Sequence, residues 1–563
     1  MKGLLTLLGV FTFFTVMQAQ EVWHNEISGK RASQIAIDNA GNVLIAGTID
    51  YGVSSMSLTD FYVAKISAAG DSLWANAING TFDNAEDDAL CIGVDNAGNV
   101  YAAGYQHNLG GWWKDDYLLV KFDPNGNELW RKVYDGSNQH QDWIKALVVA
   151  GNGDVYISGF THETINNSTN KNVTTLKYSS NGDSLWMHSW DSPINSSDDF
   201  EAMVLTSNNE LIVVGHTVIS SFPWDLYAPF IIKYDANGVV LFDSLYTTDG
   251  KNNALWGADF DASGNIYLLT SHEQTFNDGR MEITKYDSNG NQIMQTKFMP
   301  DSAWTYSEYI PKPITVDDQG NITIGMNVTT IITWPTVSEK MVAQFDAAGI
   351  MQWLDRKIDS GFDNETFLVK RDQMSNIYIA RQERVEVAQF TYVDQLIVDK
   401  YDNSGNIIWS VRDDTLRNGS GGNNLQVVDL IPDASGNIYV TYSVRLPQHG
   451  TKDFIRTVKY DTSIPNTIDQ ELQLLPEKMV LNQNYPNPFN PVTNINFTIP
   501  ESGKTILKVY NILGQEVAKL LNRNLPAGKY EVQFDATQLA SGEYFYSLES
   551  KNELIVRKMI IIK

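Results

Sequence analysis

Apolar and polar residues alternate along short segments of the chain, and the segments come in pairs around tight turns. One pair is VDNAGNVYAAG, which begins at Val94, and another is LVKFDPNGNELW, which begins at Leu119. Such a pair predicts a β-hairpin, because Asp accepts hydrogen bonds from the turn's backbone and Gly or Asn adopts a positive φ. Two hairpins, or four strands, therefore alternate along the chain.

The two hairpins recur with a period of about 55 residues, as in other repeat architectures. Eight copies of the first hairpin share one turn position, which is occupied by Asn42, Asn99, Asp154, Glu210, Asn265, Asn321, Asn376 and Asn437. Eight units of four short strands predict an all-β fold, an eight-bladed β-propeller over residues 20–463.

The eighth copy ends with RTVKYDTS, residues 456–463, and no outer strand follows it. The segment EVWHNEISG, from Glu21, is similar to the outer strand ELWRKVYDG, from Glu128. We therefore expect the N-terminal strand, residues 21–29, to complete the last blade. Closing the ring in this way leaves no free sheet edge.

Each outer strand carries one large apolar residue at the same place in the repeat. These residues are Trp23, Trp74, Trp130, Trp186, Phe242, Met294, Trp353 and Trp409. One such side chain per repeat predicts packing between neighbouring blades rather than a ladder of ligand contacts.

The hairpin turns are short and repeated, whereas the joins between hairpins are long and differ from copy to copy. Variable joins on one face of a repeat fold are where ligands usually bind. Tryptophans and carboxylates in or beside these joins can bind sugars or anchor a protein, although a structural role is the alternative. The candidate ligand-binding residues are Trp112, Trp113, Trp143, Trp224, Trp256, Trp304, Trp334, Asp87, Asp142 and Asp198.

No motif of a known catalytic class occurs in the chain, so no catalytic residue is assigned. Four histidines, His107, His162, His216 and His272, follow second strands at differing offsets, which disfavours a common metal site. We expect neither a metal nor another cofactor. A carboxylate pair in the central funnel of the propeller remains possible, and with it a glycosidase or lyase activity.

Charge and the N-terminus limit the partners. The 563 residues have a formal net charge of −26, which disfavours nucleic acid and anionic membrane surfaces. Residues 1–19 combine Lys2, an apolar run and Ala19, which is typical of a secretory signal peptide, and no segment predicts membrane insertion. The single cysteine, Cys91, excludes an internal disulfide.

The repeats over residues 21–463 resemble the family of secreted bacterial β-propeller repeats, in which D-x-x-G-N-x-Y-x-x-G alternates with K-Y-D-x-x-G-x-x-x-W. The resemblance implies the fold and leaves the ligand open.

Residues 464–480 match no repeat and are predicted to be a linker. Beyond them, short alternating strands separated by ILGQ, LPAG and LASG turns predict a small immunoglobulin-like β-sandwich over residues 481–563. The prolines of NYPNPFNP, residues 484–491, suit a rigid extended start, because proline has no backbone donor.

This C-terminal segment resembles the type A C-terminal sorting domain of proteins exported by the type IX secretion system. The resemblance rests on LNQNYPNPFNPVTNINFTIP, VYNILGQEV, LPAGKYEVQFDAT, LASGEYFYSL and RKMIIIK. It implies contact with the export machinery for Asn484, Tyr485, Pro486, Asn487, Pro488, Phe489, Gly514, Gly528, Gly542, Tyr544, Lys558, Met559 and Lys563.

The same resemblance implies a Gram-negative cell, secretion or display on the outer surface, removal of the C-terminal domain and attachment to surface lipopolysaccharide. For the propeller we favour a non-enzymatic module that binds a glycan or a protein. The alternatives are an extracellular polysaccharide-degrading enzyme and a passive surface scaffold.

Overall fold

The alternating segments form β-strands throughout the part of the chain that the structure, a computed structural model, describes. The described residues are 20–50, 59–80, 86–107, 114–136, 140–165, 168–220, 226–246, 253–271, 281–298, 305–306, 313–330, 337–359, 367–388, 391–413, 424–445, 453–461, 479–484, 486–499, 503–525, 528–537, 539–551 and 553–562. The predicted signal peptide and residues 464–478 of the predicted linker lie outside them. The chain divides into two units, Met1–Asn466 and Thr467–Lys563.

The first unit contains the strands β1 (Gln20–Ser28), β2 (Lys30–Ile37), β3 (Val43–Asp50), β4 (Thr59–Ile66), β5 (Ser72–Ile78), β6 (Asp88–Val94), β7 (Val100–His107), β8 (Asp115–Phe122), β9 (Glu128–Tyr134), β10 (Trp143–Val149), β11 (Val155–Ile165), β12 (Ser168–Tyr178), β13 (Ser184–Trp190), β14 (Asp198–Leu205), β15 (Leu211–Ser220), β16 (Leu226–Tyr234) and β17 (Val240–Leu245).

It continues with β18 (Leu255–Phe260), β19 (Ile266–Ser271), β20 (Met281–Tyr286), β21 (Gln292–Phe298), β22 (Thr305–Tyr306), β23 (Ile314–Val316), β24 (Ile322–Thr330), β25 (Val337–Phe345), β26 (Met351–Asp359), β27 (Phe367–Arg371), β28 (Ile377–Ala388), β29 (Thr391–Tyr401), β30 (Ile407–Asp413), β31 (Asn424–Pro432), β32 (Ile438–Arg445) and β33 (Asp453–Asp461).

These strands form antiparallel sheets that follow the repeats. Sheets 1 to 5 are β2–β5, β6–β9, β10–β13, β14–β17 and β18–β21; sheets 6 and 7 are β22–β26 and β27–β30. Sheet 8 has the order β1-β33-β32-β31, so the strand predicted at residues 21–29 pairs with β33. The all-β class is thus confirmed, and four-stranded antiparallel sheets are what propeller blades require.

The hairpin turns have the predicted hydrogen bonds. Asp38 Oδ1 accepts bonds from the backbone N–H groups of Ala40 and Asn42, and Oδ2 accepts one from the Asn42 amide. The turn residue Gly41 has a φ of +79°, and Asn209 and Ser375 take this left-handed conformation where glycine is absent. The turn Asp residues therefore serve local structure, as the repeat pattern indicates.

Neighbouring sheets are joined by the outer-strand aromatic residue. The ring of Trp130 lies against the turn glycine Gly182 of the next sheet, and its Nε1 donates to Ser180 O at 3.2 Å. Lys121 Nζ donates to the same carbonyl at 2.8 Å. Equivalent indole-to-carbonyl bonds are made by Trp23, Trp74, Trp186 and Trp353. Packing between sheets, as predicted for this position, is confirmed.

The connection between sheets 7 and 8 differs in one respect. Trp409 is buried, and its Nε1 has no hydrogen-bond partner among the described residues. The reason is that β33 and β1 come from opposite ends of the first unit, so no hairpin turn offers a carbonyl there. Further along the same junction, Arg456 lies 3.4 Å from the Asp413 carboxylate and 2.7 Å from that of Glu26.

The first strands of successive sheets contact each other from β2 through β6, β10, β14, β18, β23, β27 and β31, and β31 contacts β2. Buried side chains fill the space between the sheets. Ile78 and Leu118, for example, belong to one apolar cluster shared by sheets 1 and 2.

The second unit contains β34 (Val480–Leu481), β35 (Val492–Ile499), β36 (Gly503–Asn511), β37 (Glu516–Leu525), β38 (Gly528–Asp535), β39 (Gly542–Ser550) and β40 (Glu553–Ile561). One sheet has the order β34-β35-β38 and the other β37-β36-β39-β40, and both contribute to one buried core. The immunoglobulin-like topology stays a prediction.

Steric contact at the sheet junction gives a test with a matched control. Gly238→Ala would place a Cβ 2.5 Å from the ring of Trp186, whereas Gly98→Ala would meet only Pro124 at 3.5 Å, and both glycines have nearly equal φ, +83° and +82°. The left-handed backbone costs each variant about 1–2 kcal/mol. Displacing the ring should cost Gly238→Ala about 1–3 kcal/mol more. Denaturant unfolding measures the difference; equal losses would contradict this interface.

Candidate functional site

A β-bulge interrupts the first strand of most sheets, and it lies near the end where the long joins begin. The register shifts between Ile144 and Ala146 in β10, between Phe200 and Ala202 in β14, and at the equivalent place in β2, β6, β18 and β31. A bulge leaves its extra residue unpaired and re-aims that side chain. The extra residues are Ser33, Leu90, Lys145, Glu201, Trp256 and Val428.

Two of these residues, Lys145 and Glu201, lie in neighbouring sheets among other titratable and aromatic side chains. We name this group the lysine–glutamate cluster; it consists of Trp143, Lys145, Phe160, His162, Lys171, Asp199, Glu201 and His216. Strands β10, β11 and β12 of sheet 3 and β14 and β15 of sheet 4 carry these residues.

Two lysines face one phenyl ring in the cluster. The ring centroid of Phe160 is 4.5 Å from Lys171 Nζ and 5.7 Å from Lys145 Nζ, and Lys145 Nζ also lies 5.2 Å from the Trp143 ring. The ring faces attract the ammonium groups and hold them in place. Lys171 is also 3.5 Å from Asp199, and each of these two side chains is 34% exposed. Both lysines can therefore still reach a ligand.

Glu201 is the acid of this cluster whose pKa is shifted from its ordinary value. Burial raises the pKa of Glu201 to about 8; the charge of Asp199 raises it further, and that of Lys145 lowers it. At neutral pH the carboxyl group is therefore mostly protonated. With Glu201 neutral, Asp199 is the one ionised acid among the eight residues of the cluster, against the two lysines; the Asp115 carboxylate borders the cluster at Trp143.

The two histidines of the cluster are held in the neutral form. Burial lowers the pKa of His162 and of His216. His162 contacts the carbonyl of Gln141 through Nδ1, whereas Nδ1 of His216 is buried without a hydrogen-bond partner among the described residues. His216 packs edge to face with Tyr227, at a centroid distance of 5.3 Å.

Trp143, one of the predicted ligand residues, forms the border of the cluster towards sheet 2. Its ring stacks on Tyr105 at 5.2 Å with an interplanar angle of 11°. Its Nε1 donates to Asp115 Oδ2 at 2.8 Å, and the Tyr105 hydroxyl donates to Asp88 Oδ2 at 2.7 Å. The indole is therefore fixed in orientation and only partly buried.

The three predicted carboxylates Asp87, Asp142 and Asp198 are almost completely buried. Asp142 accepts hydrogen bonds from the backbone N–H of Gly136, at the end of sheet 2, and from that of His162 in its own sheet. Asp87 does the same with Gly80 and His107. Burial raises the pKa of Asp142 to about 7 and that of Asp87 and Asp198 to about 6.

These aspartates hold the start of each first strand, and ligand contact by them stays a prediction. Trp256 is the bulged residue of β18 and packs against the apolar cluster between sheets 5 and 6. The other predicted tryptophans, Trp112, Trp113, Trp224, Trp304 and Trp334, lie outside the described residues.

The sequence reasoning missed Lys145, Lys171, Asp199 and Glu201. A signal was available, because the bulged residue always stands five positions before the first residue of the following turn, as Glu201 does before Thr206. Aligning the residues that stand five positions before each turn would have shown a strand position whose residue type differs from copy to copy. Within the described ranges, no group of three or more His, Cys, Asp or Glu could hold a metal ion.

The segment NYPNPFNP is fixed to the last strand of the second unit. The backbone N–H of Phe489 donates to Ile560 O, that of Ile562 donates to Phe489 O, and Asn487 Oδ1 accepts from the N–H of Ile560. Buried Asn484 donates its side-chain amide to Thr493 Oγ1. These contacts hold the described residues of the segment in place, but the backbone bends at residues 486–488, 490 and 491, so it is not the extended start that the prolines predicted.

The other predicted sorting residues differ in exposure. Met559 is fully buried and Tyr544 nearly so, whereas Lys558 is exposed and lies 3.1 Å from Glu543. Gly514 occupies a turn with a φ of +76°. Gly542 begins β39 and Gly528 begins β38, and Tyr485 and Lys563 are outside the described residues.

Residues 483–563 match the family described as Secretion system C-terminal sorting domain. The match supports the assignment of this segment to type IX secretion sorting, and with it secretion or cell-surface display. No curated protein matches the chain. Among the described residues, no helix is long and apolar enough to cross a membrane.

Several solved structures are distantly similar. An ulvan lyase of polysaccharide lyase family PL25, solved bound to -[GlcA(1-4)Rha3S]-, is 12% identical over 70% of this chain and 94% of its own, with a TM-score of 0.39. The WD40 domain of SCAP from fission yeast is 10% identical, over 79% and 94%, at 0.38. A protein of unknown function from Dyadobacter fermentans DSM 18053 is 10% identical, over 79% and 97%, at 0.34. Similarities of this size define no function.

The raised pKa of Glu201 predicts a pH dependence of stability. The folded state holds this proton more tightly than the unfolded chain, whose carboxyl has the ordinary value of 4.5. Stability is therefore lost as the pH rises from about 4.5 through about 8. In Glu201→Gln this loss is absent, so its melting temperature should fall less between pH 5 and pH 8.5 than that of the natural protein.

Asp142, Asp87 and Asp198 contribute losses of the same sign in both proteins, because their pKa values are also raised. The informative quantity is thus the difference between the two melting curves. Equal pH dependence in both proteins would contradict a protonated Glu201.

Proposed function

We propose that the chain is a secreted or surface-displayed eight-bladed β-propeller that binds an acidic glycan at the lysine–glutamate cluster. The observation that carries this proposal is the pair of lysines over Phe160 beside a carboxyl group with a pKa of about 8. Proteins of this fold class differ widely in function, so the argument rests on the site.

The contacts between first strands support the ring. They run in sequence order through all eight sheets and include the pair β31 and β2. Sheet 8 is completed by β1, and Trp23 on that strand donates to Ala68 O of sheet 1 at 2.9 Å. The last and first sheets are therefore linked by the same indole-to-carbonyl bond that links sheets 1 to 4 and sheets 6 and 7.

The chemistry of the cluster favours an anionic, hydroxyl-rich ligand. Lys145 and Lys171 offer charge-assisted hydrogen bonds to a carboxylate or sulfate group. The rim formed by Trp143 and Phe160 offers aromatic surface to the apolar face of a sugar ring. Glu201 in its protonated form donates a hydrogen bond and does not repel the ligand. A uronate or sulfated oligosaccharide combines these features.

Replacing both lysines tests the ligand class. Lys145→Ala/Lys171→Ala should weaken the binding of tetragalacturonate or another uronate oligosaccharide about 10- to 100-fold per lysine, the equivalent of about 1.5–3 kcal/mol for a hydrogen bond to a charged group. Binding of the natural protein should weaken with added salt, since the ammonium groups remain accessible. Isothermal titration calorimetry of the mature chain measures both effects.

The control removes two positive charges elsewhere. Arg131→Ala/Lys132→Ala changes the outer strand β9, away from the cluster, and should leave the affinity unaltered. Equal weakening in both double variants, or no binding of any acidic oligosaccharide by the natural protein, would refute the site.

A polysaccharide-degrading activity is the second candidate, and one observation favours it. Glu201 stays protonated at neutral pH while the nearby His216 stays neutral, so the cluster holds both a proton donor and a proton acceptor. Release of reducing ends from the same oligosaccharides would distinguish cleavage from binding alone. A passive scaffold would give neither binding nor release.

The C-terminal domain, in this proposal, is removed after contact with the type IX machinery, and the propeller remains at the surface or is released. Attachment to lipopolysaccharide after this processing is part of the proposal. The interlocked contacts of Asn487, Phe489 and Ile560 support a folded recognition unit rather than a slack tail.

Processing can be followed with antibodies to the two units. In a pulse-chase, the surface-located propeller should lose the epitope of residues 481–563, while a chain lacking Lys558–Lys563 should accumulate in the periplasm with its remaining C-terminal segment. A mature surface form that retains the domain would show that it is a permanent module.

A further inference from the structure

A cavity of about 220 Å³ lies between sheets 4 and 5, apart from the lysine–glutamate cluster. Leu245 and Tyr246 contribute to one wall, and Glu282, Thr284 and other residues of sheet 5 contribute to the opposite wall. At ~30 Å³ per water molecule, the cavity holds several waters or one molecule of the size of a single sugar ring.

The repeat explains why the cavity exists at this junction. Two positions of the repeat face each other across the junction. One is four residues after the outer-strand aromatic, and the other is three residues before the lysine of the third strand. At the junction of sheets 3 and 4 these are Trp190 and Phe230, whose rings are 4.3 Å apart. Between sheets 1 and 2 they are Ile78 and Leu118, which share one core.

At the junction of sheets 4 and 5 the same positions hold Tyr246 and Glu282. The ring of Tyr246 packs on Tyr286 at a centroid distance of 4.3 Å, and its hydroxyl donates to Gly290 O at 2.8 Å. The tyrosine is thus drawn towards the turn of sheet 5. The space that the apolar pairs Ile78/Leu118 and Trp190/Phe230 fill at two other junctions stays open beside the Glu282 carboxylate.

Glu282 is only 6% exposed, yet its hydrogen-bonding capacity is not used up. Oε1 accepts bonds from Gln295 Nε2 at 2.5 Å and from Thr284 Oγ1 at 3.1 Å. Oε2 is buried without a hydrogen-bond donor, and Lys297 Nζ lies 3.3 Å from it. Lys297 compensates the charge of this oxygen without an aligned hydrogen bond, and a hydroxyl group bound in the cavity would supply one.

We infer that this cavity binds a neutral, polyhydroxylated ligand of the size of one pyranose ring. Glu282, Thr270 and Thr284 would pair with its hydroxyl groups, and Tyr246 and Tyr286 provide aromatic surface for its apolar face. An anionic ligand is repelled by Glu282, and a cationic one gains little because Lys297 already compensates the carboxylate. The inference does not depend on the function proposed for the lysine–glutamate cluster.

Saturation-transfer NMR on the full mature chain tests the inference. The probes are methyl β-D-galactopyranoside, methyl α-D-mannopyranoside and methyl α-L-rhamnopyranoside, each titrated separately. The natural protein should give saturation transfer to at least one of them. Glu282→Leu places at this position the residue that sheet 2 has in Leu118, so it should remove the carboxylate acceptor and weaken binding at least tenfold.

Two further variants keep the outcome unambiguous. Glu128→Leu removes an exposed glutamate on β9 and should leave the signal unaltered. Glu282→Gln retains the shape of the side chain and should also weaken binding if Glu282→Leu does not fold. Absence of transfer in the natural protein, which would mean that the cavity holds water only, overturns the inference. So does transfer in both Glu282 variants that equals the transfer in the natural protein. Acidic oligosaccharide binding can succeed or fail independently.

Discussion

The contact between an outer-strand aromatic side chain and the turn glycine of the following sheet is the interaction on which the first unit depends. It combines ring packing with an indole hydrogen bond to a turn carbonyl, as in Trp130 with Gly182 and Ser180. Most sheets offer an aromatic on one side and a hairpin turn on the other, so one interaction can link most neighbours, with Met294 in place of the aromatic in sheet 5. Trp409 is the exception, because β33 and β1 are not joined by a hairpin and its Nε1 has no hydrogen-bond partner among the described residues. Further along the same strands an ion pair between Arg456 and Asp413 links sheets 7 and 8.

This junction constrains one end of every sheet and leaves the other end free to vary. The turn end uses Asp, Gly and Lys in most copies, so it presents nearly the same surface around the unit. At the opposite end, buried aspartates such as Asp142 hold the start of the first strand, and the bulge beside them presents a residue without a repeat constraint. Lys145 and Glu201 occupy that position, so titratable side chains come together there.

How well a feature could be predicted depended on how far apart in the sequence the residues that form it lie. Hairpin positions, turn chemistry and the role of the outer-strand tryptophans were predicted because each depends on neighbours within a few residues or on repetition. The aspartates were predicted as ligand contacts, and the structure shows their oxygens engaged by backbone donors such as the N–H of Gly136. The cluster escaped prediction because its lysines belong to sheet 3 and its acids, Asp199 and Glu201, to sheet 4, with no shared motif.

The sequence by itself determined the all-β class, the repeat of four strands, the turns and the sorting character of the C-terminal segment. These follow from local periodicity and from short-range hydrogen bonding, which are written in consecutive residues. Only the tertiary structure decided which charges meet and where space remains. The pKa of Glu201 depends on burial and on charges from other strands, and the cavity at Glu282 depends on where the ring of Tyr246 comes to rest.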